Sequence, residues 1–150
     1  MNRLSIVNPV QILVLHGPNL NLLGLRSSRR GEKVTLDKVD RSLRQSVSSD
    51  QVKLRIFQTH DESHAVTLVQ RNRNRVSGIL FNPGPWHLGG HVLADTLELV
   101  RLPLVIVNIN PSPSSIFSPD EVIEGNDPIQ AYLLGLQHLL GLTGAENSIT

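Results

Sequence analysis

Residues Gln11–Arg26 read QILVLHGPNLNLLGLR. Five residues with only Gln11 polar run into His16, and then into a stretch rich in Gly, Pro and Asn. A short, nearly continuous apolar run that ends in turn residues is the pattern of a strand buried on both faces. The loop after such a strand is where an open parallel sheet binds its ligand. This stretch therefore decides both the fold and where to look for a site.

Three further runs also read as buried strands, Val52–Phe57, Gly78–Phe81 and Leu104–Ile109, the last two nearly continuous like the first. Helical spacing lies between them. Leu36, Val39, Leu43 and Val47 follow Thr35 as a cap. Ala65, Leu68 and Val69 follow Asp61, and Val92, Leu93, Thr96, Leu97 and Val100 make an apolar stripe. Asp127, Pro128 and Gln130 open a last helix whose Ile129, Leu133, Leu136 and Leu140 share a face, with Gly141 and Gly144 as stops. Strands alternating with helices predict an α/β fold. Residues 1–150 are expected to form one domain, with 1–10 and 142–150 peripheral. Ser118–Glu121, within the Pro/Ser-rich stretch, reads as a capped helical turn.

Composition narrows the function. A net charge of +1 gives no reason to expect a polyanion. The Arg71–Arg75 cluster falls where a helix should end and reads as a solvated terminus, so no nucleic-acid partner is expected. No apolar stretch approaches the ~20 residues of a membrane span. The chain has no cysteine, which removes disulfides and thiolate chemistry and fits a cytoplasmic protein.

The residues after each strand share one character. His16, Asn19 and Asn21 follow the first, and Gln58, Thr59 and His60 the second. Asn82, Pro83, Gly84, Pro85, Trp86 and His87 follow the third, and Asn108 and Asn110 end the fourth. Amides and imidazoles dominate and carboxylates are nearly absent. That chemistry suits a small neutral or anionic polyoxygenated ligand, with Arg26, Arg29 and Arg30 as nearby cations. His87 and His91 stand four apart, yet no third ligand accompanies them, so no metal is expected.

The ordered motifs carry a resemblance. VLHGPNLNLLGLR is similar to the signature NGPNLNLLG-x-R of the type II dehydroquinases (3-dehydroquinate dehydratases). FQTHDES, GILFNPGPWHLGGHVLADTL, LPLVIVNIN and IQAYLLGLQHL resemble that family's later motifs in order, from about Gln11 to Leu140. The resemblance implies a flavodoxin-like three-layer sandwich around a five-stranded parallel sheet. It implies self-association as a trimer or dodecamer, and dehydration of a small-molecule substrate through an enolate with no cofactor. It places Arg26 as the lid arginine and Asn19 and Asn21 in the substrate loop. Asn82 becomes a substrate amide, Gly84 a tight turn, Glu62 a motif acid and Asp95 an interface residue.

Several positions depart from the family pattern. The lid tyrosine is missing from RSSRRG (Arg26–Gly31), and the chain's single tyrosine, Tyr132, belongs to the closing helix. Leu88 stands where the family has its acid histidine, with His87 beside it. Asn108 replaces the histidine and Ile106 the glutamate of E-V-H. Asn110 replaces the following serine, and His16 replaces the first asparagine of the signature. The arginine-bearing segment after the fourth strand becomes a Pro/Ser loop.

The leading expectation is thus a divergent enzyme performing enol-type proton transfer, dehydration or a related cyclisation on a small oxygenated carbonyl compound. His16 and His87 are the expected acid and base, and Arg26 the anion or enolate contact. Asn19, Asn21, His60, Asn82, Gly84, Trp86, Asn108 and Asn110 would contact substrate, Trp86 as an apolar wall. The alternatives are a non-catalytic binding homologue and a genuine 3-dehydroquinate dehydratase with altered residues. Convergence of His16 and His87 within about 7 Å on one cavity would favour an enzyme. Closure of the cavity by Trp86 and Leu88 would oppose it.

Overall fold

The computed structural model describes residues 8–29, 31, 33–110 and 114–144. Five parallel strands form one sheet: β1 (Val10–His16), β2 (Val52–Gln58), β3 (Gly78–Asn82), β4 (Leu104–Asn108) and β5 (Glu121–Glu124), in the order β2-β1-β3-β4-β5. The helices are α1 (Leu23–Ser28), α2 (Leu36–Gln45), α3 (Glu62–Asn72), α4 (His91–Val100) and α5 (Pro128–Thr143). Short 3-10 turns occupy Leu20–Leu22 and Gly84–Leu88. The result is a flavodoxin-like α/β fold.

The two-residue period of the strands divides the core. Ile12 and Val14 of β1 face one way, joining Leu54, Leu80, Val105, Val107 and Ile123 beneath α2 and α5. Leu13 and Leu15 face the other way, with Ile79, Phe81 and Ile106 beneath α3 and α4. The sheet is the middle of three layers, and its central strands are buried on both sides.

The expected caps hold the helices. Thr35 accepts the backbone N–H of Lys38, Asp61 that of Ser63, and Asp127 that of Gln130. Several boundaries and placements differ from the sequence reading. Gly141 lies inside α5, and only Gly144, left-handed at φ 81°, stops it. Leu142 and Thr143 belong to the last turn of α5. Of the expected peripheral ends, residues 1–7 and 145–150 lie outside the described residues. Ser118–Glu121 is not a helical turn. Asp120 donates its backbone N–H to the carbonyl of Leu104 and accepts the N–H of Leu104 on its side chain, which pulls the chain into β5. Val92 belongs to α4 but points outward, 62% exposed.

The order of strands places the switch in chain direction between β1 and β3. β1 leads outward to β2 on one side, and β3 leads to β4 and β5 on the other. The loops after β1 and β3 diverge over that point and leave a crevice at the carboxyl edge of the sheet.

Candidate functional site

That crevice is a cavity of about 430 Å³. Its floor is set by two loops pressed together. The N–H of Gly17 donates to the carbonyl of Asn82 at 2.8 Å. A Cβ on Gly17 would lie 2.5 Å from the carbonyl oxygen of Pro83, so only glycine allows the approach. Gly84 turns the β3 loop with a left-handed φ of 57°, and a Cβ there would meet the carbonyl oxygen of Pro18 at 2.7 Å. Asn19 is also left-handed (φ 68°), a conformation asparagine tolerates.

The outer wall is α1, a helix inside what the sequence presented as a loop. Leu23 and Ser27 anchor it inward. Ser27 clasps Val34 in both directions, its hydroxyl donating to the carbonyl at 2.9 Å and accepting the N–H at 2.7 Å. This leaves Leu22, Leu25, Arg26 and Arg29 along the cavity. Arg30 lies outside the described residues.

Of the expected contact residues, Asn19, Arg26, Asn82, Gly84, His87, Asn108 and Asn110 line this cavity. They come from the ends of β1, β3 and β4 and from α1, segments far apart in the chain. His87 is buried in the Gly84–Leu88 turn. Its Nε2 is 2.8 Å from Oδ1 of Asn108 and its Nδ1 is 2.7 Å from the hydroxyl of Ser115. An amide oxygen only accepts, so Nε2 carries the proton, and in the neutral ring Nδ1 accepts from Ser115. Ser115 lies in the Pro/Ser-rich loop and was not foreseen.

His16 is elsewhere. As the last residue of β1 it shares the face of Ile12 and Val14, and its ring is wholly buried beneath α2 and α5. Nδ1 is 2.8 Å from the hydroxyl of Tyr132 and Nε2 is 2.8 Å from Oδ1 of Asp40. Both ring nitrogens are engaged away from the cavity, so His16 and His87 do not converge on it. Strand periodicity carried this signal: a residue two beyond Val14 points where Val14 points.

Tyr132 is buried in the core behind His16 and is not a lining residue of the cavity. Burial raises the phenol far above its ordinary value, the Asn82 side chain opposes that, and the charge of Asp40 adds to it, so Tyr132 stays protonated.

The remaining expected residues are also off the cavity. Trp86 packs against the core beneath α3 and α4 and forms no wall of the cavity. Leu88 is 66% exposed and does not close it. His60 is exposed and supports the loop, accepting the N–H of Asn19 on Nδ1 at 3.3 Å. Asn21 is exposed in the turn after Leu20 and is not a lining residue. Glu62 ties α3 to α4 by accepting the N–H of Leu93. His91 is exposed at the start of α4, on a different element from buried His87, so the pair does not share a helix face.

This geometry has counterparts. Residues 10–139 match the family model described as "Dehydroquinase class II". The chain belongs to the class II dehydroquinase family. Among relatives, the 3-dehydroquinate dehydratase of Trichodesmium erythraeum (strain IMS101) is 35% identical over 141 residues, covering 86% of this chain and 91% of that protein. The 3-dehydroquinate dehydratase of Roseiflexus castenholzii (strain DSM 13941 / HLO8) is 31% identical over 146 residues, covering 90% and 91%. Among solved structures, the type II dehydroquinase of Propionibacterium acnes superposes with a TM-score of 0.77 at 24% identity, covering 91% of this chain and 98% of that one. A 3-dehydroquinate dehydratase-like protein of Bifidobacterium longum gives 0.59 at 23% identity, covering 89% and 97%. No helix among the described residues is long and apolar enough to cross a membrane.

Proposed function

We propose that the chain is a divergent, cofactor-independent lyase of the dehydroquinase type. It acts by enol-type proton transfer and dehydration, or a related cyclisation, on a small oxygenated carbonyl compound. The observation that carries this reading is His87, a buried imidazole at the cavity wall whose second nitrogen faces a hydroxyl. Ser115 can donate to Nδ1 or accept from it, so the ring is able to hold its proton on either nitrogen. Once substrate displaces the Asn108 amide oxygen from Nε2 and the proton sits on Nδ1, Nε2 is a base. It takes the proton next to the carbonyl, an enolate forms, and the same proton is returned to the departing hydroxyl, which leaves as water. Arg26 and Arg29 would bind a carboxylate or the enolate oxygen, and Asn19, Asn82, Asn108 and Asn110 the remaining oxygens.

A second reading, ordinary 3-dehydroquinate dehydratase, is favoured by the relatives of that name and by Arg26, Asn19, Asn82 and Gly84 at the cavity. Against it stands the sequence itself, with no tyrosine other than Tyr132. Incubating the protein with 3-dehydroquinate and following conjugated-enone absorbance separates the readings. Rapid turnover selects the second. Slow or no turnover removes it, and turnover of another small oxygenated carbonyl compound that is lost in His87→Ala then separates the first reading from a non-catalytic binding homologue.

Self-association as a trimer or dodecamer belongs to the same proposal. Asp95 lies exposed on α4 between Val92 and Leu99, which are 62% and 74% exposed, an apolar face suited to a second copy. A cytoplasmic location fits a chain without cysteine. The extent of the domain over 1–150 is part of this reading too.

A further inference from the structure

His87 and Asn108 form a wall with a hollow on each side. One hollow is the cavity described above. The other, toward β5, is a smaller cavity of about 310 Å³ bordered by the same two side chains and by Ser115. Ser115 does not line the larger cavity.

Main chain and side chains together fix Ser115 against His87. The N–H of Ile116 donates to the carbonyl of His87 at 2.8 Å, which ties the two segments together. The Ser115 hydroxyl lies 2.7 Å from Nδ1 of the ring. The N–H of Phe117 donates to that hydroxyl oxygen at 3.2 Å, and the Phe117 ring meets the imidazole in a T-shaped contact with centroids 6.3 Å apart. The positions of the hydrogens follow from the acceptors. Oδ1 of Asn108 only accepts, so the ring proton is on Nε2, and the lone pair at Nδ1 takes the hydroxyl hydrogen of Ser115. The serine oxygen keeps two lone pairs, one facing the Phe117 N–H and one left for a ligand. Ser115 is exposed and His87 buried, so the hydroxyl is reachable while the imidazole behind it is shielded from water.

We infer that Ser115, His87 and Asn108 form a second catalytic centre, in which an activated serine hydrolyses small uncharged esters. A hydroxyl that donates to a neutral imidazole, whose other nitrogen is held by an acceptor, is what a serine nucleophile requires. Here serine takes Nδ1 and the orienting group Nε2. The inference does not rest on the lyase reading. It uses the tautomer with the proton on Nε2, whereas proton abstraction in the larger cavity uses the other. Ser115 adds its oxygen to the ester carbonyl carbon as its proton passes to Nδ1. The tetrahedral adduct then breaks its bond to the alkoxy oxygen, which takes that proton and leaves as an alcohol. Water next gives a proton to Nδ1 and its hydroxyl to the acyl carbon. The bond to Ser115 breaks, the proton returns to the serine oxygen, and a carboxylic acid departs. Ile106, Phe117, Pro119 and Val122 offer an apolar seat for a short acyl chain, and the exposed carboxylate of Glu124, also at this cavity, disfavours an anionic one. Asn108 carries no charge and steadies an imidazolium less than a carboxylate does, so covalent capture reads the centre more sensitively than turnover.

The test is labelling of the full chain with an alkyl fluorophosphonate, located by peptide mass spectrometry, beside hydrolysis of p-nitrophenyl butyrate. A single adduct should form, on Ser115. Ser115→Ala should abolish it and slow hydrolysis roughly 10²-fold or more, the scale of an assisted nucleophile. His87→Ala keeps the serine, yet should slow its labelling roughly 10²-fold, which a merely exposed hydroxyl would not show. Ser118→Ala, an exposed change in the same loop, should alter neither rate. No adduct, an adduct on another serine, or no hydrolysis by the wild type overturns the inference. So does equal labelling of Ser115 in His87→Ala, or unchanged hydrolysis in Ser115→Ala. Should His87→Ala fail to fold, Ser115→Ala removes only an exposed hydroxyl and still decides the question by its hydrolysis rate.

Discussion

Nε2 of His87 lies 2.8 Å from Oδ1 of Asn108, and both side chains border the same cavity. The imidazole borders the cavity while its orientation is held by neighbours from β4 and from the Ser115 loop. If His87 carries the proton transfer, His87→Ala should lower turnover of the true substrate by about 10²–10⁴-fold, the span of a lost acid–base group. Ser115→Ala should cost far less, about 0.5–1.5 kcal/mol in the activation barrier, because one neutral hydrogen bond is removed. Steady-state rates for the two variants check this order. Equal rates in wild type and His87→Ala would remove His87 from the chemistry.

Arg26 projects from α1 along the cavity. Removing its charge-assisted hydrogen bonds to a carboxylate should weaken binding by about 1.5–3 kcal/mol in Arg26→Ala. Arg26→Lys should recover only part, because an ammonium lacks the planar fork. Calorimetry with 3-dehydroquinate at low and high salt measures both effects, and the loss in affinity should shrink as salt rises.

Gly84→Ala tests the floor of the cavity. The left-handed φ of 57° and the 2.7 Å approach to the Pro18 carbonyl both oppose a side chain. The variant should lose about 1–3 kcal/mol of stability, seen as a lower urea midpoint. An unchanged midpoint would show that the loop relaxes without cost.

Asp61 caps α3 with a carboxylate held below its ordinary 3.8, first by the hydroxyl of Ser63 and then by the Ser63 N–H. A lowered folded value means that the unfolded chain takes up its proton at the higher pH. The contribution to stability is complete above the ordinary value and disappears as pH falls through the lower folded one. Amide exchange in the first turn of α3 should therefore quicken only below about pH 3.8, given that ordinary carboxylate value. Asp61→Asn, which keeps a capping oxygen, should remove this acid step.

Much of the fold is legible in the chain because burial on both faces writes continuous apolar runs. β1, β3 and β4 are of this kind, and the capped helices announce themselves through Thr35, Asp61 and Asp127. β5 is not legible, since in Glu121–Glu124 only Ile123 is buried and four residues cannot display a period. α1 hides in a segment whose Gly and Leu content reads as loop, and it is held by the hydrogen bonds of its Ser27 to Val34 beyond the helix.

The cavity was legible as a set of strand ends, and Asn82, Asn108, Arg26 and His87 meet there. What escaped was direction. His16 was placed by the loop it opens, whereas the strand it ends turns it into the core. Its partners Asp40 and Tyr132 are 24 and 116 residues away, with no local pattern to join them. Trp86 likewise follows the packing demand of the α3/α4 side, where a large apolar surface is more favourably buried than displayed to water.

The contact of Gly17 and Gly84 with the carbonyls of Pro83 and Pro18 has a consequence for how such a molecule changes over time. The floor of the cavity is set by main chain meeting main chain, not by the side chains above it. A substitution at a rim position such as Asn108 or Arg26 leaves those approaches untouched. Reactivity and shape are therefore separable in this fold: the first can be rewritten without recasting the second.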